Sequence, residues 1–178
     1  MKDYLIVYNS ADRYRLKQDV YMAFCEKIRE DVSRDFLYSL NPFKTNILTV
    51  RSPRPPRDGI FDIHDIVDLP NFSIHDNVIF YISTSPTRSK RGKHIHIKDP
   101  LEQREWFSER VIRHGGYLDE TYQMKSFESV IRDKGNVPIP ITTFMGKISV
   151  TNPESFSSMY RNGFGRLGAF GLGMLVSL

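Results

Sequence analysis

The stretch Asn162-Gly163-Phe164-Gly165-Arg166-Leu167-Gly168-Ala169-Phe170-Gly171-Leu172-Gly173, followed by Met174-Leu175-Val176-Ser177-Leu178, carries the reading of the chain. Gly163, Gly165 and Gly168 spell G-x-G-x-x-G. That pattern holds a dinucleotide when a strand precedes it, a helix follows it and an acidic residue stands about 20 positions on. Here the residues before it read as a helix, and those after it are a short apolar run. The dinucleotide reading fails on context. What is left is a loop of five glycines with one cation, Arg166, which lets backbone N–H groups approach an anion such as phosphate. A helix C-cap at Gly163 accounts for one glycine but not for the run.

Working back from the loop, Asn152-Pro153-Glu154 opens a last helix with Phe156, Met159 and Tyr160 on one face. Gln123 to Arg132 and Ile141 to Val150 are predicted strands around Gly135 and Pro138. Asp99-Pro100-Leu101-Glu102 combines an N-cap, a proline at the first helical position and a capping-box glutamate. The helix it starts ends at Gly115-Gly116 and turns Trp106, Phe107, Val111 and Ile112 to a core. Before it come a strand, Val78 to Ile82, a basic connection through Gly92, and the alternating run Lys93-His94-Ile95-His96-Ile97.

The first half repeats the scheme. Tyr4 to Tyr8 reads as a strand and Arg13 to Lys17 as a polar connection. From Asp19, taken as an N-cap, Tyr21, Phe24, Cys25, Ile28 and Val32 recur at helical spacing. Asp35 to Leu40 and Asn46 to Val50 read as strands, and the three prolines between Arg51 and Arg57 exclude regular structure. Residues 60–75 are ambiguous, with room for a short helix around Ile63 to Val67 and a loop through Pro70. A β-α-β-β pattern that restarts predicts an α+β protein of tandem ferredoxin-like (RRM-like) domains. The division is expected at 1–75 and 76–178, the second domain carrying the basic hairpin and the glycine-rich loop.

At 178 residues, 40% hydrophobic and 26% charged, the composition is that of a globular protein with a core to bury. No apolar run is long enough to span a bilayer, and the polar start is no signal peptide, so the expected location is cytoplasmic. The single Cys25 excludes an intramolecular disulfide and a cysteine-based zinc cluster. The net charge of +4 is unevenly spread. Arg13, Arg15 and Lys17 form one cluster, Arg51, Arg54 and Arg57 a second, and Arg88, Lys90, Arg91, Lys93 and Lys98 a third. Clustered cations are the footprint of a polyanionic partner.

The residues Phe144-Met145-Gly146-Lys147-Ile148-Ser149-Val150, Asn152-Pro153, Gly163-Phe164-Gly165 and Ala169-Phe170-Gly171-Leu172-Gly173 together resemble the CasE-type (type I-E) CRISPR RNA endoribonucleases. The likeness extends to the Ser85-Pro86 hairpin, the Trp106 helix and Arg34-Asp35-Phe36-Leu37-Tyr38. It implies recognition of the stem-loop of a CRISPR repeat RNA and cleavage at the base of the stem without a metal or other cofactor. The 2′-hydroxyl attacks the adjacent phosphate, and the enzyme stays with its product among the subunits of a surveillance complex. On this reading the RNA-binding residues are Arg13, Arg15, Lys17, Arg88, Lys90, Arg91, Lys93, Gly163, Gly165 and Arg166, and the catalytic one is Tyr21.

Two positions depart from the family's pattern. The family has a tyrosine followed three residues later by a histidine, early in the first helix. The window Tyr21-Met22-Ala23-Phe24 puts phenylalanine at that place, and phenylalanine moves no proton. The family's glycine loop carries a lysine where this chain has Gly168, leaving Arg166 as the candidate cation. Two alternatives stay open: a non-catalytic subunit that caps a guide-RNA hairpin, and a general RRM-like RNA-binding module, whose strand motif is not matched here. His94 and His96 share a strand face but lack a third ligand for a metal.

Overall fold

The computed structural model describes residues 1–9, 12–25, 34–44, 46–132 and 135–178, with the backbone alone at 124–132 and 135–137. The predicted residues Ile28 and Val32 lie outside the described residues. In the first half, strands β1 (Lys2–Val7), β2 (Leu37–Leu40), β3 (Ile47–Ser52) and β4 (Asp62–Asp68) form an antiparallel sheet of order β2-β3-β1-β4. Helix α1 (Arg13–Phe24) covers one face. Tyr4 and Ile6 of β1, Tyr38 of β2 and Leu48 and Val50 of β3 bury against Leu16, Val20 and Phe24. The helix takes every second residue of β1 and β3, as the two-residue period of a strand requires, while Asp3, Thr49 and Arg51, on the other face, are buried as well.

The second half runs β5 (Asn77–Thr84), a hairpin of β6 (Thr87–Lys90) and β7 (Lys93–His96), α2 (Pro100–Arg113), β8 (Gly116–Arg132), β9 (Gly135–Val150), α3 (Pro153–Asn162) and β10 (Leu175–Ser177). Its sheet order is β10-β5-β9-β8, and α2 and α3 lie on one face of it. The order first–third–second with the fourth strand beside the first is the same in both sheets. This is the ferredoxin-like unit twice in tandem, with the β6–β7 hairpin inserted after the first strand of the second unit. Phe107 is the centre of the second core, stacked on Phe144 at a 4.4 Å centroid separation.

Local signals explain the helices. Asp99 accepts from Glu102 N–H at 2.9 Å and Asn152 accepts from Ser155 N–H at 3.0 Å, each followed by proline. Four expectations need correction. Helix α1 begins at Arg13 with Asp12 as its N-cap, so Arg13 to Lys17 are its first turns, not a connection, and Asp19 lies inside it. The residues Ile63 to Val67 are strand, not helix. Strands β8 and β9 pair along their whole lengths and are longer than predicted. Ile112 is 57% exposed, outside the core that takes Trp106, Phe107 and Val111. No helix among the described residues is long and apolar enough to cross a membrane.

Candidate nucleic-acid interface

Arg13, Tyr14, Lys17 and Tyr21, none of them fully buried, are spaced so that they line one side of α1. This flank meets the glycine loop. Arg13 Nη1 donates to the Phe170 carbonyl at 2.8 Å, and the Tyr38 hydroxyl of β2 donates to the Ala169 carbonyl at 2.8 Å. The Lys17 ammonium lies 4.9 Å from the Phe170 ring centroid, 5.7 Å from that of Tyr14 and 5.8 Å from that of Tyr21. Three aromatic faces therefore hold one cation at the loop. Burial lowers the Arg13 guanidinium below its ordinary pKa, partly offset by Tyr38 and Tyr8, and raises the Tyr38 phenol.

The loop is closed at its neck. Gly163 caps α3 with φ 67°, its N–H on the Met159 carbonyl; Phe164 N–H meets the Gly173 carbonyl, and Gly173 N–H meets Ser83. Most of its glycines serve packing. Gly171 has φ 75°, and a Cβ there would lie 2.6 Å from the Tyr38 ring. The part with N–H groups to spare is narrower, from Gly165 to Ala169, where the backbone N–H groups find no acceptor among the described residues. Gly165 and Arg166 are exposed, and the buried Thr84 hydroxyl beside Gly165 has no hydrogen-bond partner among the described residues.

Arg34 is a residue the sequence reading missed. A side chain at Gly168 would run into the Arg34 guanidinium, so Arg34 fills the space where the family resemblance expects a lysine. Its guanidinium lies 5.8 Å from the Phe36 ring centroid, and its buried Nη1 has no hydrogen-bond partner among the described residues. The signal was present: Arg34 opens the Arg-Asp-Phe-Leu-Tyr segment already quoted. Distance in sequence hid its place beside the loop.

The hairpin β6–β7 turns at Arg91 (φ 51°) and Gly92 (φ 75°), a two-residue turn that needs positive φ at both positions. Lys90, Arg91 and Lys93 are exposed around it, while Arg88 pairs with Glu102 of α2 at 3.0 Å. The hairpin root is fastened to α2 by Trp106 Nε1, which donates to the Thr87 carbonyl at 3.0 Å. Phe164 of the glycine loop packs against the same Trp106, with centroids 6.4 Å apart. Loop and hairpin thus share an anchor. His94 and His96 stand opposite Ser89 and Thr87. No group of three or more His, Cys, Asp or Glu able to hold a metal occurs among the described residues.

Other candidates lie elsewhere. Arg15 is exposed on the opposite flank of α1, with Asp12 and Asp19. Tyr21, which stays on the loop-facing flank beside Lys17, also presents its ring edge-on to Phe36 at 5.2 Å. Phe24 is fully buried between Tyr4 and Phe36, at 5.7 and 6.1 Å. The Arg51–Arg57 cluster, expected to mark a polyanion partner, is committed to the fold. Arg51 is buried and clasps Asp3 through two hydrogen bonds of 2.8 and 2.7 Å. Arg54 bonds Asp35 and the Phe24 carbonyl, and Arg57 bonds the Cys25 carbonyl, closing the end of α1.

A family model described as "CRISPR associated protein" matches residues 7–176. No curated protein matches the sequence. Among solved structures the chain is similar to CRISPR endoribonuclease Cse3 bound to a 19-nucleotide RNA, at 20% identity with 100% of each chain covered and a TM-score of 0.87. It is similar to Cas6e from Escherichia coli K-12, at 15% identity over 99% of this chain and 98% of that one, TM-score 0.78. It is also similar to a chain of a CRISPR RNA-guided surveillance complex in a pre-nicking state, at 17% identity over 99% of each, TM-score 0.77. At these identities the likeness establishes the fold.

Proposed function

The chain belongs to the CRISPR-associated protein family, and from that premise we propose that it binds the stem-loop of a CRISPR repeat RNA and cuts at the base of the stem. Structural relatives bound to RNA or seated in a surveillance complex support the substrate and the assembly. The observation that carries the reading is the Lys17 ammonium held at the glycine loop by Phe170, Tyr14 and Tyr21. Because α1 opens at Arg13, a tyrosine followed three residues later by a proton-carrying side chain, early in the first helix, is Tyr14-Arg15-Leu16-Lys17. Phe24 ends that helix.

The chemistry needs a proton taken from the 2′-hydroxyl, a proton given to the departing 5′-oxygen, and relief of the charge that grows on the phosphate between them. The 2′-hydroxyl gives its proton to solvent water as its oxygen bonds to phosphorus and closes the cyclic phosphate, and the P–O5′ bond breaks as the Lys17 ammonium donates a proton to the departing 5′-oxygen. Arg34, Arg166 and the N–H groups from Gly165 to Ala169 stabilise the developing charge. Tyr21 holds the ammonium in place. Lys90, Arg91 and Lys93 neutralise backbone phosphates of the stem, since an A-form helix hides its base edges in a narrow major groove.

Incubating the protein with labelled repeat RNA in EDTA, beside a binding assay, tests the reading. One cut at the stem base, ending in a cyclic phosphate and a 5′-hydroxyl, is the expected result. Tight binding without a cut would make the protein a capping subunit. Equal affinity for unrelated single strands would leave only a general RNA-binding module.

A further inference from the structure

The second ferredoxin-like unit covers one face of its sheet with two helices, and α3 lays Phe156, Met159 and Tyr160 into the core shared with Val78 and Phe80 of β5 and Leu175 of β10. On the corresponding face of the first unit, α1 is the only helix among the described residues. The connection from 53 to 61, where a second helix belongs, holds Pro53, Pro55 and Pro56 and is irregular. The effect appears on β4. Ile63 and Ile66 stand opposite Ile6 and Tyr4, so they share the helix-covered face. Ile6 and Tyr4 are buried, whereas Ile63 is 40% exposed and Ile66 is 49% exposed.

Beside them a groove of about 630 Å³ opens between α1 and residues 60–62, with Leu16, Ile60 and Phe61 supplying apolar lining. Asp12, Asp19 and Asp62 line it against a single cation, Arg15. In a chain of net charge +4 this is an acidic patch, one that repels RNA. The outer edge of β4 is itself guarded. The strand is kinked by a register shift in its pairing with β1, and the Asp65 carboxylate occupies the Ile66 N–H at 2.8 Å, so addition of a strand is disfavoured.

We infer that this face docks an amphipathic helix of a protein partner. The helix sets its apolar stripe on Ile63, Ile66 and the groove and its basic flank against Asp19 and Asp62, in the place that α3 takes in the second unit. The surface is separate from the RNA interface, so its failure would leave the RNA reading standing.

The test uses the full chain and a labelled synthetic leucine–lysine amphipathic helix of about four turns, read by fluorescence anisotropy. The leucine–glutamate twin is the control. Saturable binding of the lysine helix is expected, with none by the twin. Affinity should drop at least roughly tenfold, about 1.4 kcal/mol, in Ile66→Lys and in Asp62→Lys, while both variants bind repeat RNA as the parent does. Absent binding, or equal binding to parent and variants, overturns the inference. A concentration-dependent dimer that disappears in Ile66→Lys also overturns it, since a second copy would then cover the face.

Discussion

Phe24 and Lys17 divide the labour of α1: one anchors the helix to the core and the other reaches the glycine loop. Replacing Phe24 with histidine therefore creates no catalyst. It puts a polar ring into a site closed by Tyr4 and Phe36, and the expected loss is about 3 kcal/mol or more, seen as a lower urea midpoint with cleavage no faster than the parent's. Arg34 offers a second single-residue experiment. Arg34→Ala is expected to slow cleavage on the order of 100-fold, the scale of one lost donor at a developing oxyanion. Adding Gly168→Lys to that variant should recover part of the rate, because the space a side chain needs there is vacated. A single-turnover time course distinguishes recovery from none. In sequence, Lys17 reads as a contact rather than as the partner of a first tyrosine because of the helix start. Asp12 and Asp19 are each acceptable N-caps, and choosing the later one moved the helix by two turns and took Tyr21 for its first tyrosine.

Among the elements, those with cap chemistry were legible and those shaped by neighbours were not. Asp99-Pro100 and Asn152-Pro153 announce α2 and α3 because the capping atoms lie within three residues of each other. Strand β4 imitates a helix instead. Ile63 and Ile66 share a face at a spacing of three because a register shift falls between them, and that spacing is helical in sequence. The glycine loop was legible as a loop, but its glycines answer mainly to Tyr38, Arg34 and their own neck. Chain distance concealed those partners. For the hairpin, replacing Lys90, Arg91 and Lys93 together by serine is expected to weaken repeat binding and to reduce the slope of log affinity against log salt by about 3. Arg88→Ser is expected to change it less, since Glu102 already engages that side chain. Titrations at several salt concentrations decide this.

At the scale of the molecule, the two units are joined by groups buried between their sheets. Arg51 binds Asp3, the Tyr160 carbonyl and the Leu175 carbonyl, and stacks on the Tyr160 ring at 3.8 Å. Arg51→Ala leaves Asp3 buried and unpaired, with an expected cost of about 3–5 kcal/mol in denaturant unfolding. Tyr81, buried nearby, has its phenol pushed up to about 12, burial outweighing the Thr49 and Ser39 hydroxyls. A raised phenol stays protonated in the fold where the unfolded chain has lost its proton. Stability is thus intact below pH 10 and falls between pH 10 and about 12. Tyr81→Phe should flatten that alkaline fall, as followed by circular dichroism. Tandem architecture could be read from the restarting β-α-β-β pattern, but the clasp could not, because Arg51 resembles its surface neighbours Arg54 and Arg57 in sequence.

The most direct measurement compares the parent chain with Lys17→Met on labelled repeat RNA in EDTA, scoring product and affinity together. The expected result is one cut at the stem base by the parent, and a rate lower by about 100-fold or more in Lys17→Met, with hairpin affinity nearly unchanged. Equal cleavage by both chains would contradict the role given to Lys17. Tight binding with no cut by the parent would contradict the nuclease itself.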